Sequence, residues 1–377
     1  MLESIRIEGF RKYKDFSLGG FDKINFILGN NNIGKTSILE AIFAWACGQN
    51  VAPFIHIPLA RGRYTNIQNP YWVMEELLAT VNERHTLPLK MVFEGVFCKK
   101  LERFDHIIYP SDLLTDYDSS YKNELVKYVP RTNEALQDQS AVSAGFPGIG
   151  SFSPVVVANW EISHNEKKVT SVFTAPYTST RNTMPFQSAK YIDLLSFAAV
   201  NENVQMYATL KRERLLQEVA DEMRRIFPQI KGFDMIPYPD GSQSPVSIEN
   251  QDGSFLPMYA YGDGVQKWFY VLGSLALYKK YIVCVDEVDA GFHPAAQVSF
   301  CTSVIQTAIR NDVQLFLTTH NIEFMDNLLQ SVVANECSAA ESIRIITLRD
   351  TKEGLRARNM SAKEAYEARE IYNMELR

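Results

Sequence analysis

The eight residues Gly29-Asn30-Asn31-Asn32-Ile33-Gly34-Lys35-Thr36 constrain this chain more than anything else in it. An apolar run, Ile24 to Leu28, precedes them, and an amphipathic one, Ser37 to Ala46, follows. The order is strand, tight turn, helix. Successive N–H groups of such a turn, ending at a helix N-terminus, make a concave anion site. Gly29 and Gly34 permit backbone angles and a closeness of approach that a Cβ blocks. Asn30, Asn31 and Asn32 tolerate left-handed conformations better than most residues. Lys35 is placed to reach β- and γ-phosphates and the Thr36 hydroxyl to face magnesium, with Ser37 in the same opening turn.

Far along the chain, Tyr281-Ile282-Val283-Cys284-Val285-Asp286-Glu287 is an apolar strand ending in adjacent acids. A phosphate cradle and a metal-organising acid pair belong to one site, so the fold must bring residues 29–37 to residues 286–287. The two stretches together predict binding of ATP or GTP with magnesium, Thr36 and Asp286 serving the metal.

Three regions follow from the pattern along the chain. Residues 1–50 read as strand, strand, phosphate loop and helix, with Gly48 as the helix's C-terminal cap. Residues 51–255 mix short strands (Leu89 to Cys98, Val155 to Ile162, Val169 to Thr174) with loops such as Gly145-Phe146-Pro147-Gly148. A helical block spans Ala189 to Phe227, where Val204, Tyr207, Leu210, Leu215, Val219, Met223 and Ile226 keep the spacing of one amphipathic helix. Residues 256–377 return to α/β alternation. There Tyr281 to Val285 and Val313 to Thr319 are continuous apolar runs, as parallel strands covered on both faces should be. Their carboxyl ends carry the acids and His320, where open parallel sheets bind ligands. The middle region is then an insertion, as arms or a lid. Ser361 to Arg377 reads as a helix with Ala365, Ala368 and Ile371 on one side.

Composition excludes several classes. The chain is 46% hydrophobic and 22% charged, as soluble globular proteins are. It has no run of eighteen apolar residues, so no membrane span is expected. Met1-Leu2-Glu3-Ser4-Ile5 enters structure at once and does not read as a signal peptide. Cys47, Cys98, Cys284, Cys301 and Cys337 have no CxxC spacing and read as reduced residues of a cytosolic protein, without zinc or disulfides. A net charge of −6 argues against a surface coated for nucleic acid. Lys211-Arg212-Glu213-Arg214 and Arg224-Arg225 share their helical block with Glu218, Asp221 and Glu222, the pattern of a solvated face with paired charges.

The ordered motifs resemble one family. Asp286-Glu287-Val288-Asp289-Ala290-Gly291-Phe292-His293-Pro294 is similar to the Asp-Glu-Pro-Glu-x-Gly-Leu-His-Pro segment of ABC-type ATPases of the SMC, RecF and OLD group. Tyr261-Gly262-Asp263-Gly264-Val265-Gln266-Lys267 resembles their signature loop, and Phe316-Leu317-Thr318-Thr319-His320-Asn321 their strand ending in a switch histidine. Ile5-Arg6-Ile7-Glu8-Gly9-Phe10-Arg11-Lys12-Tyr13 is similar to their opening strand and turn. The resemblance covers about half the residues. It implies a P-loop ATPase head of mixed sheet and flanking helices, with a large α+β insertion between the Walker A half and the signature and Walker B half.

It also implies roles. Asp286 orients magnesium, Glu287 positions or deprotonates the attacking water, and His320 contacts the γ-phosphate. Asp289 lies in a loop that communicates across a dimer. Gly262, Asp263 and Gly264 bind the γ-phosphate held by a second subunit, so ATP bridges two heads in a homodimer or higher oligomer. Arg11 and Lys12 read either as groups near base or phosphates or as surface charge, and His293 reads as a structural residue fixing the turn before Pro294. Gly262 stands where the family has a serine, and the glutamine loop is not evident, though its position falls between Thr178 and Gln187.

For function the resemblance points to the compact OLD-like ATPases of bacterial antiphage systems, those accompanying PARIS, retron or Septu effectors. The chain shows no long coiled coil, and 57 residues follow His320, few for a nuclease domain. A destructive activity, expected to be a nuclease, then sits on a separate effector protein. The alternatives are a RecF-like DNA-repair ATPase, with DNA as partner, and a scaffold whose nucleotide stabilises an oligomer.

Overall fold

Neighbouring residues of the buried strands face two different cores, and this fixes the layers of the molecule. Phe26, Val283, Val285, Leu315 and Leu317 join one apolar cluster, while Ile27, Ile282, Cys284 and Phe316 join the other. Strands covered on both faces need no polar alternation, which is why these runs are continuously apolar. The computed structural model describes residues 1–51, 54, 88–110, 155–175, 178–179, 185–193, 196, 200–236, 244–334, 338–352 and 354–371.

In chain order the strands are β1 (Leu2–Phe10), β2 (Tyr13–Gly19), β3 (Ile24–Leu28), β4 (Leu89–Phe97), β5 (Lys100–Pro110), β6 (Val155–His164), β7 (Lys167–Ala175), β8 (Thr178–Ser179), β9 (Ala189–Ile192), β10 (Ile230–Asp234), β11 (Ser247–Asn250), β12 (Phe255–Pro257), β13 (Ile282–Val285), β14 (Gln314–Thr318), β15 (Ile343–Thr351) and β16 (Gly354–Ser361). The α-helices are α1 (Lys35–Cys47), α2 (Val200–Arg212), α3 (Leu216–Arg224), α4 (Asp263–Leu277), α5 (Pro294–Arg310), α6 (Ile322–Leu329) and α7 (Ala362–Glu370).

The central sheet runs β16-β15-β3-β14-β13-β9 and is parallel except for β16. It is a mixed sheet with helices against it, the P-loop α/β class. A seven-stranded sheet, β2-β1-β4-β5-β6-β7-β8, is antiparallel throughout and covers α1. Trp45 of α1 is fully buried and donates its indole N–H to the Glu102 carbonyl of β5 at 3.1 Å. A buried amide joins the two sheets: Leu2 N–H donates to Gln314 Oε1 at 2.8 Å, and Gln314 Nε2 donates to Leu2 O at 2.7 Å. Both main-chain groups of Leu2, which is fully buried, are thereby satisfied.

Four sequence expectations change. Three strands rather than two precede the phosphate loop, because Tyr13–Gly19 folds back on β1 as a hairpin. The block 189–227 is not one helix. Ala189–Ile192 is a strand paired with β13, and α2 and α3 are separate. Between them Arg214 takes a left-handed φ of 60°, Leu215 N–H donates to Leu210 O, and Arg214 N–H to Lys211 O. That is a Schellman ending with arginine at the left-handed position. Strand β5, which sequence pattern did not reveal, pairs along the whole of β4. Its outer residues Arg103 and Asp105 are charged, whereas Phe104, His106 and Ile108 on the other face are buried. Finally Ile371, grouped with Ala365 and Ala368, is 67% exposed while those alanines are buried.

The loop Gly145–Gly148 and Cys337 lie outside the described residues. Cys47, Cys284 and Cys301 are buried and free, and Cys98 is exposed. Among the described residues no helix is long and apolar enough to cross a membrane.

Candidate functional site

Strand β3 delivers the chain to Gly29 at the carboxyl edge of the central sheet, and α1 carries it away from Gly34. Ile33, 5% exposed, anchors the turn in the core. Gly34 has φ 104°, and a Cβ there would meet Tyr13 Oη at 2.4 Å. Tyr13 Oη donates to Gly34 O at 2.8 Å, so the hairpin β1–β2 pins the loop from outside. Lys35 curls back and donates to Gly29 O at 2.7 Å and Asn30 O at 2.9 Å. Asn32 takes φ 62°, and its carbonyl accepts from Lys12 Nζ at 3.3 Å. Arg11 is turned to α1, its Nε 3.1 Å from Glu40 Oε2. Ser37 is half-buried in the opening turn of α1.

Strand β13 lies one strand away from β3, across β14, and the sheet order therefore joins the two halves of the site. Thr36 Oγ1 lies 2.9 and 3.1 Å from the two oxygens of Asp286. Thr318 Oγ1, at the end of β14, donates to Asp286 Oδ1 at 2.5 Å, and Tyr191 Oη of β9 lies 3.5 Å from Oδ2. Asp286 N–H donates to Ile192 O at 2.8 Å. A buried carboxylate and a hydroxyl form a set of hard oxygen donors, which suits magnesium completed by phosphate oxygens and water.

Glu287 is half-buried and takes φ 48°, sparsely populated for a residue with a Cβ. Its N–H donates to Thr318 Oγ1 at 2.8 Å, and its carbonyl accepts from Lys267 Nζ at 2.7 Å. Lys267 also donates to Ala290 O at 2.9 Å. Burial lowers the Lys267 ammonium to about 8, against the pull of the Asp289, Glu287 and Asp286 carboxylates. Asp289 is buried, and its main-chain carbonyl accepts from Gln297 Nε2 at 3.2 Å.

His320 is exposed two residues beyond β14, after the buried Thr319, and Asn321 then caps α6 by accepting from Phe324 N–H at 3.0 Å. His293 is exposed, and its carbonyl accepts from Ala296 N–H at 2.8 Å. Gly262 and Asp263 are exposed at the N-terminus of α4, Gly262 with φ 89°. Gly264 lies against the other half of the site: a Cβ there would come within 2.9 Å of Gly291 O.

The structure thus brings Lys35, Thr36, Asp286 and Glu287 together and sets His320 at the end of the intervening strand. Of the span Thr178 to Gln187, Gln187 faces away and donates to Lys280 O at 3.1 Å; residues 180–184 lie outside the described set. Sequence reasoning gave no role to Tyr13, Tyr191, Thr318 or Lys267. A signal existed for the last, a lone cation among Val265, Trp268, Phe269 and Val271. Asp193 was also missed. It is 4% exposed, follows β9 directly, and accepts from Ser196 N and Oγ at 2.8 and 2.7 Å.

Comparison with known proteins agrees with this class. Residues 1–138 match the model of the AAA ATPase domain, and residues 164–326 that of the AAA domain described as putative AbiEii toxin, Type IV TA system. The chain is 21% identical over 351 residues to the "ATP/GTP phosphatase" of Helicobacter pylori, covering 88% of each chain. It is 38% identical over 52 residues to the DNA replication and repair protein RecF of Idiomarina loihiensis, 14% of this chain and 15% of that one. Among solved structures it is similar to an SMC head bound to the C-winged helix domain of ScpA, with 13% identity, 97% and 99% coverage and a TM-score of 0.47. Sheet order and site define a P-loop nucleotide-binding head. The two matched models are both of AAA ATPase domains, and the Helicobacter relative is named for ATP and GTP.

Proposed function

We propose that this protein binds and hydrolyses ATP with magnesium, and that ATP bridges two copies through the exposed signature turn. The observation that carries the reading is the contact of Thr36 with Asp286, two residues from opposite parts of the chain that meet at the carboxyl edge of the central sheet. Thr36 and Asp286 would hold magnesium, which supplies charge neutralisation for the phosphates. Lys35 releases the Gly29 and Asn30 carbonyls to reach the phosphates. Glu287 orients or deprotonates water, and His320 faces the γ-phosphate. Phosphoryl transfer needs placement and charge neutralisation above all, and these side chains provide both. The Helicobacter relative named for ATP and GTP makes GTP a substrate to test alongside.

Gly262, Asp263 and Gly264, at a solvent-facing helix N-terminus, take the γ-phosphate of the second copy, where the helix dipole favours an anion. The clamp so formed acts as sensor and scaffold for a separate effector, a nuclease, in cytoplasmic antiphage defence. A RecF-like DNA-binding role is the second reading, favoured by the short RecF matches.

The test is Glu287→Gln. Loss of a general base lowers turnover about 10²- to 10⁴-fold, and the variant should hold ATP and sediment as an ATP-dependent dimer. Wild-type phosphate release by that variant refutes the assignment. Capture of the ATP-loaded variant from its host then separates the readings: a stoichiometric protein without DNA supports defence, DNA alone supports repair.

A further inference from the structure

Lys267 is 1% exposed, one of the largest fully buried side chains, and it bears a charge. Its ammonium lies 5.6 Å from the centre of the Phe292 ring and donates to two main-chain carbonyls, Glu287 O at 2.7 Å and Ala290 O at 2.9 Å. Burying a cation costs free energy that a methionine of similar length would avoid. What the cation holds is the turn that begins at Glu287 and contains Asp289. Glu287 keeps its left-handed φ of 48° with its N–H tied to Thr318 Oγ1 and its carbonyl tied to Lys267. Conformations of this kind persist only where the surroundings over-determine them. Lys267 is also part of α4, whose N-terminus is the signature turn and whose Gly264 fits closely against Gly291 O.

We propose that Lys267 is a positioning residue: it fixes the backbone of Glu287 and thereby couples the aim of that carboxylate to the signature end of α4. This rests on the reading of Glu287 as the group that activates water. A shift of the signature turn, as on meeting a second copy's nucleotide, moves α4 as a unit. Lys267 transmits that shift to the Glu287–Ala290 turn. The site then reaches full activity only when the signature turn is engaged.

The experiment is a cycle of Lys267→Met, Glu287→Gln and the double variant, reading kcat at saturating magnesium-ATP and Kd for a fluorescent ATP analogue. Lys267→Met is expected to lower kcat about 10- to 100-fold with Kd within about threefold, the signature of lost placement rather than lost binding. In the Glu287→Gln background the same change should cost less than about twofold, because the carboxylate it aims is already gone. An equal loss in both backgrounds, a loss carried by Kd, or an unchanged kcat overturns the inference. Should Lys267→Met fail to fold, Lys267→Gln, which keeps an amide donor, is read in the same cycle with the same criteria. Wild-type turnover by Glu287→Gln alone overturns the functional reading and this inference together. A slow Glu287→Gln with additive losses overturns this inference only.

Discussion

Gly34→Ala should cripple nucleotide binding, and the structure separates two causes. Gly34 has φ 104°, outside the regions open to a residue with a Cβ, and the added methyl would lie 2.4 Å from Tyr13 Oη and 2.8 Å from Lys12 Cε. The Lys12 carbon belongs to a flexible chain and can move aside, whereas Tyr13 is 3% exposed and packed. Backbone strain of this kind costs about 1–3 kcal/mol, and overpacking against a fixed side chain about as much again. The loop relieves both by leaving its phosphate-binding shape, so binding must restore them. A combined cost of at least about 2 kcal/mol weakens ATP binding roughly 30-fold, since about 1.4 kcal/mol is a factor of ten. Calorimetric titration with magnesium-ATP measures it. Tyr13→Phe on top removes the oxygen that clashes but also its bond to Gly34 O, and it leaves the ring carbon at 3.1 Å, so it should not restore wild-type binding. Binding by Gly34→Ala within about threefold of wild type refutes the reasoning.

Other perturbations test other parts of the site. Thr318→Val keeps shape but removes the partner of both Asp286 Oδ1 and Glu287 N–H; at about 1.5–3 kcal/mol for a hydrogen bond to a charged group, turnover should fall about 10- to 150-fold, and unchanged phosphate release with an intact circular-dichroism spectrum argues against that role. Gln314→Leu strands the buried N–H and carbonyl of Leu2, each worth about 1–3 kcal/mol when left unpaired, so the urea midpoint should drop measurably with ATP hydrolysis at low urea retained. Lys267 has its folded-state value lowered to about 8, so above that pH the unfolded chain binds more protons than the folded one. The contribution of this residue to stability therefore rises from about pH 8 toward the ordinary lysine value of 10.5. Unfolding midpoints of wild type relative to Lys267→Met should shift in favour of wild type between pH 7.5 and 9.5; no relative change removes the buried cation from the explanation.

Much of the site was legible because its chemistry is local. Gly29, Gly34, Lys35 and Thr36 sit in one turn, and Asp286 and Glu287 at one strand end, so residue type and spacing suffice. The contacts that complete it depend on sheet order instead. Thr318 reaches Asp286 because β14 lies between β3 and β13, and Tyr13 reaches Gly34 because a hairpin folds over the loop; neither adjacency is written in a neighbouring residue. The break between α2 and α3 was hidden for a different reason. Leu210 and Leu215 both stay on the buried side across the turn, so the apolar phase continues through it. Strand β5 escaped notice because its outer face carries Arg103 and Asp105, and charges in ion pairs look like a loop when read singly. His106 on its inner face is fully buried and kept neutral by that burial, which lowers its pKa to about 3. A lone histidine there was part of the core, accepting from Trp160 Nε1 at 3.2 Å.

The position of β9 has a mechanical consequence. This four-residue strand is the outermost of the central sheet and touches it through β13 alone. Its side chains alternate between the two cores, with Tyr191 on one side and Ile192 on the other. A slide of one residue along β13 exchanges those faces. Such a slide would carry the Tyr191 hydroxyl away from Asp286 and take the Ile192 carbonyl from the Asp286 N–H. The register of β9 on β13 therefore sets two of the contacts that hold Asp286, the Tyr191 hydroxyl and the Ile192 carbonyl.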